Sequence, residues 1–278
     1  MTQNESVMDG NKTVTGEQRL FDEHGRRIPP EMKSAAHRHT RRRFVCTQPA
    51  IDYTAIHQRI TRHIGAAATL SAAEFERRAQ AILEGLRSDA RTRDITEGVH
   101  VPFYLPRAVS TDIGSDMESV YLKATQSAFR EMFPDYAFVN HHAGGLSGAL
   151  GIVPGSRHER LVDAMRQTDV VGYYFPCLLE YSVPAAIEQM GTLPGNFLLA
   201  GGFDTCAAFI GSPDLLLRTD GYPPLLWLAA LSTEKEGIGY HFEAYGYNLT
   251  FNRRAHLGQA AEYWAGGLVA LKENAAAI

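Results

Sequence analysis

The stretch Thr96-Glu97-Gly98-Val99-His100-Val101-Pro102-Phe103-Tyr104 sets an acid at the head of an apolar run. In a strand, side chains of one parity share a face. A continued extended run therefore turns the Glu97 carboxyl toward the side of Val99, Val101 and Phe103, although Gly98 permits a bend. A carboxyl desolvated among Val and Phe favours its neutral form, so its pKa rises. That suits a group that gives and takes a proton near neutral pH. An exposed glutamate at a strand start is the competing reading. Upstream, Ser71-Ala-Ala-Glu74 opens a helix whose first residue is Ala72. Free N–H groups and the positive dipole end make that turn a carboxylate site, or simply a capped surface helix.

Three other constellations carry chemistry. Gly145-Leu-Ser147-Gly-Ala149 approaches the G-x-S-x-G elbow with alanine for the last glycine, and Asp204 and His241 follow in the order of an α/β-hydrolase. The elbow needs a strand, a turn and a helix, whereas Leu150 to Val153 reads as a strand. His241-Phe-Glu243 places two metal ligands on one strand face, and His256 completes a two-His-one-carboxylate set; a solvated His and Glu facing away from Phe242 give the same pattern. His141 and His142 point to opposite strand faces and cannot chelate together. No G-x-x-x-x-G-K-[ST] and no G-x-G-x-x-G between strand and helix is present, which argues against phosphate transfer.

The elements that position these residues are read from caps and periodicity. Asp52 caps a helix to about Ile64, with Gly65 at its C′ position. The helix after Ser71 runs to about Leu86 and buries Phe75, Ala79, Ile82, Leu83 and Leu86. Ser115-Asp-Met-Glu118 and Ser156-Arg-His-Glu159 read as two further capping boxes, before helices ending near Phe133 and Gln167. Strands are expected at 99–104, 136–142, 150–153, 170–175, 197–200 and 225–231. A hairpin-like pair follows at 238–245 and 248–253, with a final helix from about Leu257 to Lys272 and short helices starting at Ser182 and Asp204. Alternation in the middle and strands at the end predict an α+β or α/β fold, a mixed β-sheet with packed helices.

The 278 residues fit one domain with an arm. Residues 1–43 read as a flexible N-terminal arm and 44–278 as the catalytic domain. The basic cluster His37 to Phe44 in that arm reads as a connector or subunit contact. With a net charge of −4, 45% hydrophobic and 21% charged residues, the chain is neither disordered nor held to nucleic acid by a positive field. No apolar run approaches ~18 residues, so no membrane span is expected. The N-terminus lacks the apolar core of a secretory signal. Cys46, Cys177 and Cys206 read as buried thiols, and a cytoplasmic location follows.

A chain of this size, with a glutamate opening an apolar strand after a capped helix, resembles the McbB-type β-carboline-forming Pictet–Spengler enzymes of actinobacterial alkaloid pathways. The resemblance rests on length and on residues 70–105. It implies a homodimer that condenses L-tryptophan with oxaloaldehyde or a related aldehyde, without a metal or organic cofactor, with dissolved oxygen serving any later aromatisation. It also implies that Glu97 carries the proton transfers. The family places an arginine near the start of the preceding helix to meet an acidic aldehyde; Ala72 stands there, which predicts a larger pocket suited to bulky uncharged aldehydes. Phe103 and Tyr104 would then wall the indole, and Arg87 or His100 would meet the amino-acid carboxylate.

Overall fold

The computed structural model describes residues 18–65 and 69–272. It is an α+β fold built on one mixed sheet. The strands are β1 (Val101–Leu105), β2 (Phe138–Asn140), β3 (Leu150–Ile152), β4 (Val170–Leu179), β5 (Phe197–Leu199), β6 (Leu225–Trp227), β7 (Leu231–Thr233), β8 (Gly239–Tyr245), β9 (Asn248–Arg254) and β10 (Trp264–Leu271). Their order across the main sheet is β1-β4-β10-β6-β8-β9-β2, with β5 beside β6 on the same edge of β10; β3 and β7 pair separately. The β10–β6 and β2–β9 pairs are parallel, the others antiparallel.

Helices cover both faces. These are α1 (Tyr53–Ile64), α2 (Ala72–Ser88), α3 (Ile113–Asp116), α4 (Leu122–Met132), α5 (Glu159–Gln167), α6 (Val183–Glu188) and α7 (Gly202–Gly211). Asp52 caps α1 through the Ala55 N–H (2.9 Å), and Gly65 takes the left-handed conformation at its end. Ser71 caps α2 through the Glu74 N–H (3.2 Å), and its buried residues are the expected five. They pack on the sheet beside Tyr173, Phe175 and Leu268 in one core cluster. The other cluster holds Phe103, Tyr174, Phe209, Phe242 and Val269 under α4, α5 and α7.

Four expectations are corrected. Trp264–Leu271 is a central strand rather than the end of a helix. An apolar run buried on both faces has no periodicity to tell strand from helix, and Gly266-Gly267 would weaken a helix. Asp112, not Ser115, caps the helix starting at Ile113, and Glu118 accepts from the Gly144 and Leu146 N–H groups instead of closing a box. The helix after Ser156 begins at Glu159 behind His158, which Ser156 itself braces (3.2 Å).

The fourth concerns the arm. Residues 1–17 lie outside the described residues, but 18–43 are packed on the domain. Phe21 is fully buried, and the buried Arg26 and Arg27 donate to the carbonyls of Leu179 and Leu20 and to Gln189. A guanidinium with five donors satisfies buried carbonyls that the apolar side chains around them cannot reach. A polar, charged sequence therefore hid a docked segment. The hairpin forms as expected, with Gly246 and Tyr247 both at positive φ in its two-residue turn.

Candidate functional site

Strand β1 sends alternate side chains to opposite faces, and this sorts the expected site residues. Phe103 lies in the core under α7, its ring over Gly172 of β4, where a Cβ would come within 2.7 Å of it. Tyr104 and His100 face the α2 side. Tyr104 is fully buried and stacks on His57 (centroids 5.5 Å, 14°). Burial and the neighbouring Asp169 push its hydroxyl pKa up. His100 lies against Tyr173 (5.8 Å) and Phe175 (6.1 Å). The Tyr173 hydroxyl is 2.7 Å from that of Tyr53. A file of aromatic and polar rings thus runs beneath α2 from Tyr104 to His100.

The His100 end of that file is open. Glu97 ends a 3₁₀ turn (Arg93–Glu97) and is exposed, not desolvated as its parity with Val101 suggested. The 3₁₀ turn itself ends the extended run: Gly98 is still extended (φ −88°, ψ 178°) and lies against Gly25, where a Cβ would meet the His24 carbonyl at 2.8 Å. Glu97, as the last residue of that turn, does not share the alternation of the strand. Glu97 borders a small hollow of about 100 Å³ beside His24 and Arg42. Arg87 sits exposed on the last turn of α2.

Both charges act on His100. Burial is the main cause of its lowered pKa; Arg87 adds to the lowering, while the Gly98 carbonyl and Glu97 oppose it. The imidazole is therefore neutral at pH 7. Its Nδ1 lies 2.8 Å from the Gly98 carbonyl, which can only accept, so the proton sits on Nδ1. The Nε2 lone pair is left as a base. The Gln48 side chain clamps the backbone of His100 through both its N–H (2.9 Å) and its carbonyl (2.9 Å). Gln48 was not among the residues singled out by sequence, because nothing in its neighbourhood marks a side chain that reaches 52 residues along the chain.

Ala72 is not part of this cluster. It stands fifteen residues from Arg87 on one helix, about 22 Å at 1.5 Å per residue. One small substrate cannot touch both.

The remaining constellations are not assembled. Ser147 is exposed and its hydroxyl donates to Asp112 (3.2 Å). Asp204 is fully buried next to His158 (3.8 Å), and His241 lies against Trp227 on another strand. No helix follows Ser147, so the nucleophile elbow is absent. His241 does approach Glu243 (3.6 Å), but Arg254 approaches the same Oε2 of that carboxylate (3.9 Å). His256 is exposed at positive φ, and among the described residues no group of three or more His, Cys, Asp or Glu side chains is placed to hold a metal. The three cysteines are free and buried, and burial pushes the Cys46 and Cys177 thiols up to about 12. Among the described residues no helix is long and apolar enough to cross a membrane.

Compared with known proteins, the chain matches no family model, no curated protein and no solved structure.

Proposed function

We propose that the protein is a Pictet–Spengler cyclase joining L-tryptophan to an aldehyde, working at the open end of the aromatic file. The observation that supports this most is the convergence of one acid, one neutral imidazole base and one guanidinium, Glu97, His100 and Arg87, beside the rings of Tyr173 and Phe175. An aromatic amino acid has the matching parts. Its carboxylate pairs with Arg87, and its indole extends the file of rings.

The reaction then proceeds on these groups. The amine nitrogen adds to the aldehyde carbon and water leaves, giving an iminium. The indole carbon attacks that iminium carbon and closes the ring. A proton must leave the attacked indole carbon to restore aromaticity, and the Glu97 carboxylate takes it. The Glu97 carboxylate, exposed in the free chain, stabilises the iminium charge. The bound substrate covers that carboxylate and sets it beside the carbon that must lose a proton. The Nε2 of His100 takes a proton from the tryptophan ammonium so that its nitrogen can add, and returns it to the adduct's hydroxyl, which leaves as water; holding indole and iminium together supplies effective concentration. The same reading has a cytoplasmic homodimer with no cofactor of its own and dissolved oxygen for aromatisation. Residue 72 is left out of it.

Mixing the protein with L-tryptophan and phenylacetaldehyde and following the cyclised mass tests the proposal. Glu97→Gln is expected to lower kcat by at least about 100-fold, the usual scale of acid–base catalysis. Arg87→Gln should raise KM for tryptophan more than it lowers kcat. Wild-type turnover in Glu97→Gln, or no carboline from the native protein, overturns the assignment.

A further inference from the structure

A separate hollow lies along the outer side of α2. It holds about 430 Å³ between α2, α5 and the ends of β4 and β10. It continues into a second hollow of about 270 Å³, the two sharing Ile82, Asn196, Leu271 and Lys272. Neither contains Glu97, His100 or any other member of the proposed cyclase site.

The lining has two parts. Ile82, Val170, Val171 and Leu271 supply apolar surface, and Arg77, Arg78, Arg160 and Lys272 bring four positive charges. Two carboxylates oppose them. Asp169, in the wall, accepts from the Arg107 N–H (2.7 Å) and the Thr69 hydroxyl (2.5 Å). Glu74 holds Arg77 by two bonds (2.7 Å each) and Arg78 by its Nε alone (2.7 Å). Four cations against these two acids leave two positive charges in excess, and both terminal nitrogens of Arg78 stay unclaimed by Glu74. Lys272 makes no ion pair among the described residues. The Asn196 side-chain oxygen is buried at the join of the two hollows without a hydrogen-bond partner, so it calls for a donor.

We propose that this groove binds a small organic phosphate: a phosphate monoester with an apolar body. A phosphate monoester carries nearly two negative charges at pH 7 on three acceptor oxygens, which matches the excess charge and the free guanidinium donors of Arg78. The apolar part of the ligand lies on Ile82 and Leu271, and a hydroxyl or N–H on it donates to Asn196. The volume admits a body of about nucleotide size, within the range of small-molecule sites.

Titration calorimetry on the whole protein with phenyl phosphate and with inorganic phosphate tests this, and needs no turnover. Phenyl phosphate is expected to saturate one site and to bind at least about tenfold tighter than inorganic phosphate, because only the ester uses the apolar wall. Arg78→Gln and Lys272→Gln should each weaken phenyl phosphate by about tenfold, the scale of one lost charge-assisted contact. Lys272→Gln breaks no bond in the described structure, so it reports even if Arg78→Gln disturbs α2. Added salt should weaken binding in the native protein. No saturable phenyl phosphate binding at millimolar concentration, equal affinity for both probes, or unchanged affinity in both variants overturns the proposal.

Discussion

The two faces of the central sheet are built from different chemistry. Under α7 the contacts are aliphatic chains and phenyl rings, such as Phe209 on Phe242 (4.7 Å), and all ten residues of α7 are buried. A helix so largely apolar belongs in such a core, and its one carboxylate, Asp204, turns back to the Gly201 N–H (3.0 Å). Under α2 the helix buries only a stripe, and the space beneath it holds rings that carry polar atoms: His57 of α1, then His100, Tyr104, Tyr173, Trp227, Trp264 and His241 on or beside the sheet. Among the described residues the indole N–H groups of Trp227 and Trp264 are buried there without a hydrogen bond. One face spends its surface on dense packing. The other keeps hydrogen-bonding capacity inside the core and at its edge, and the candidate site lies where that face reaches solvent.

The contrast can be broken most forcefully by adding one carbon to each side. Gly267 of β10 lies on the α7 face, where a Cβ would stand 2.6 Å from Cζ of Tyr174 and 2.7 Å from its hydroxyl oxygen. Tyr174 is fully buried and has nowhere to move. Gly267→Ala should therefore cost about 2–3 kcal/mol, the upper part of the overpacking range. Gly85 sits inside α2 on its outer side, and a Cβ there meets nothing within 4 Å. Gly85→Ala should stabilise by up to about 1 kcal/mol through helix propensity and a less flexible unfolded chain. Urea unfolding of the two variants measures both, and equal destabilisation would erase the distinction between a sealed and an unsealed side.

Acid should also separate the faces. Burial lowers the pKa of both His100 and His241, so each stays neutral in the folded state below 6.5 while the unfolded chain takes up a proton. Their contribution is present above 6.5 and is lost as pH falls through that value toward the folded pKa. Each histidine adds at most about 1.4 kcal/mol per pH unit to that slope. Asp204, under the other face, has the opposite sign. Burial raises its pKa, with His158 and the Gly201 N–H opposing. Its contribution is present below 3.8 and is lost as pH rises through the folded pKa. Between pH 6.5 and 5, His241→Phe should flatten the loss of stability on acidification, whereas Asp204→Asn should not. A pH series of urea midpoints gives the slopes, and a slope unchanged in His241→Phe would mean that this ring is not held neutral.

How much of this was legible beforehand depends on the range of the physics involved. Caps and stripes are local, so Asp52, Ser71 and the five buried residues of α2 could be read from spacing alone. The docking of residues 18–43 could not, because two of its anchors, Phe21 against Phe197 and Arg26 on the Leu179 carbonyl, pair with residues more than 150 positions away. Trp264–Leu271 misled for another reason: a strand buried on both faces erases the period that would identify it. At the site, residue types were readable but burial was not. The pair Glu97 and His100 was visible as chemistry, yet a 3₁₀ turn left the acid exposed and Gln48 clamped the backbone of His100 from a distant segment.

The smallest effect tests where a cap resides. Ser115-Asp-Met-Glu118 has the sequence of a capping box, but the carboxylate of Asp112 accepts from the Ser115 N–H (3.0 Å) with one oxygen and from the Gly148 N–H (2.8 Å) with the other. It therefore ties the start of α3, on the α7 side of the sheet, to the turn that carries Ser147. Asp112→Ala should lower the melting temperature by about 2–3 °C, the scale of one lost cap in a chain of this size, and Ser115→Ala should lower it by less than half as much. Those N–H groups hold the Asp112 pKa below its ordinary value. Its contribution is thus present above about 3.8, the unfolded value, and fades as pH falls through the folded one. The gap between Asp112→Ala and the native protein should close in strong acid while the cost of Gly267→Ala, which is steric, persists. If both gaps closed together, acid would be loosening the packing around Tyr174 itself, and the α7 face would not be the rigid half of the molecule.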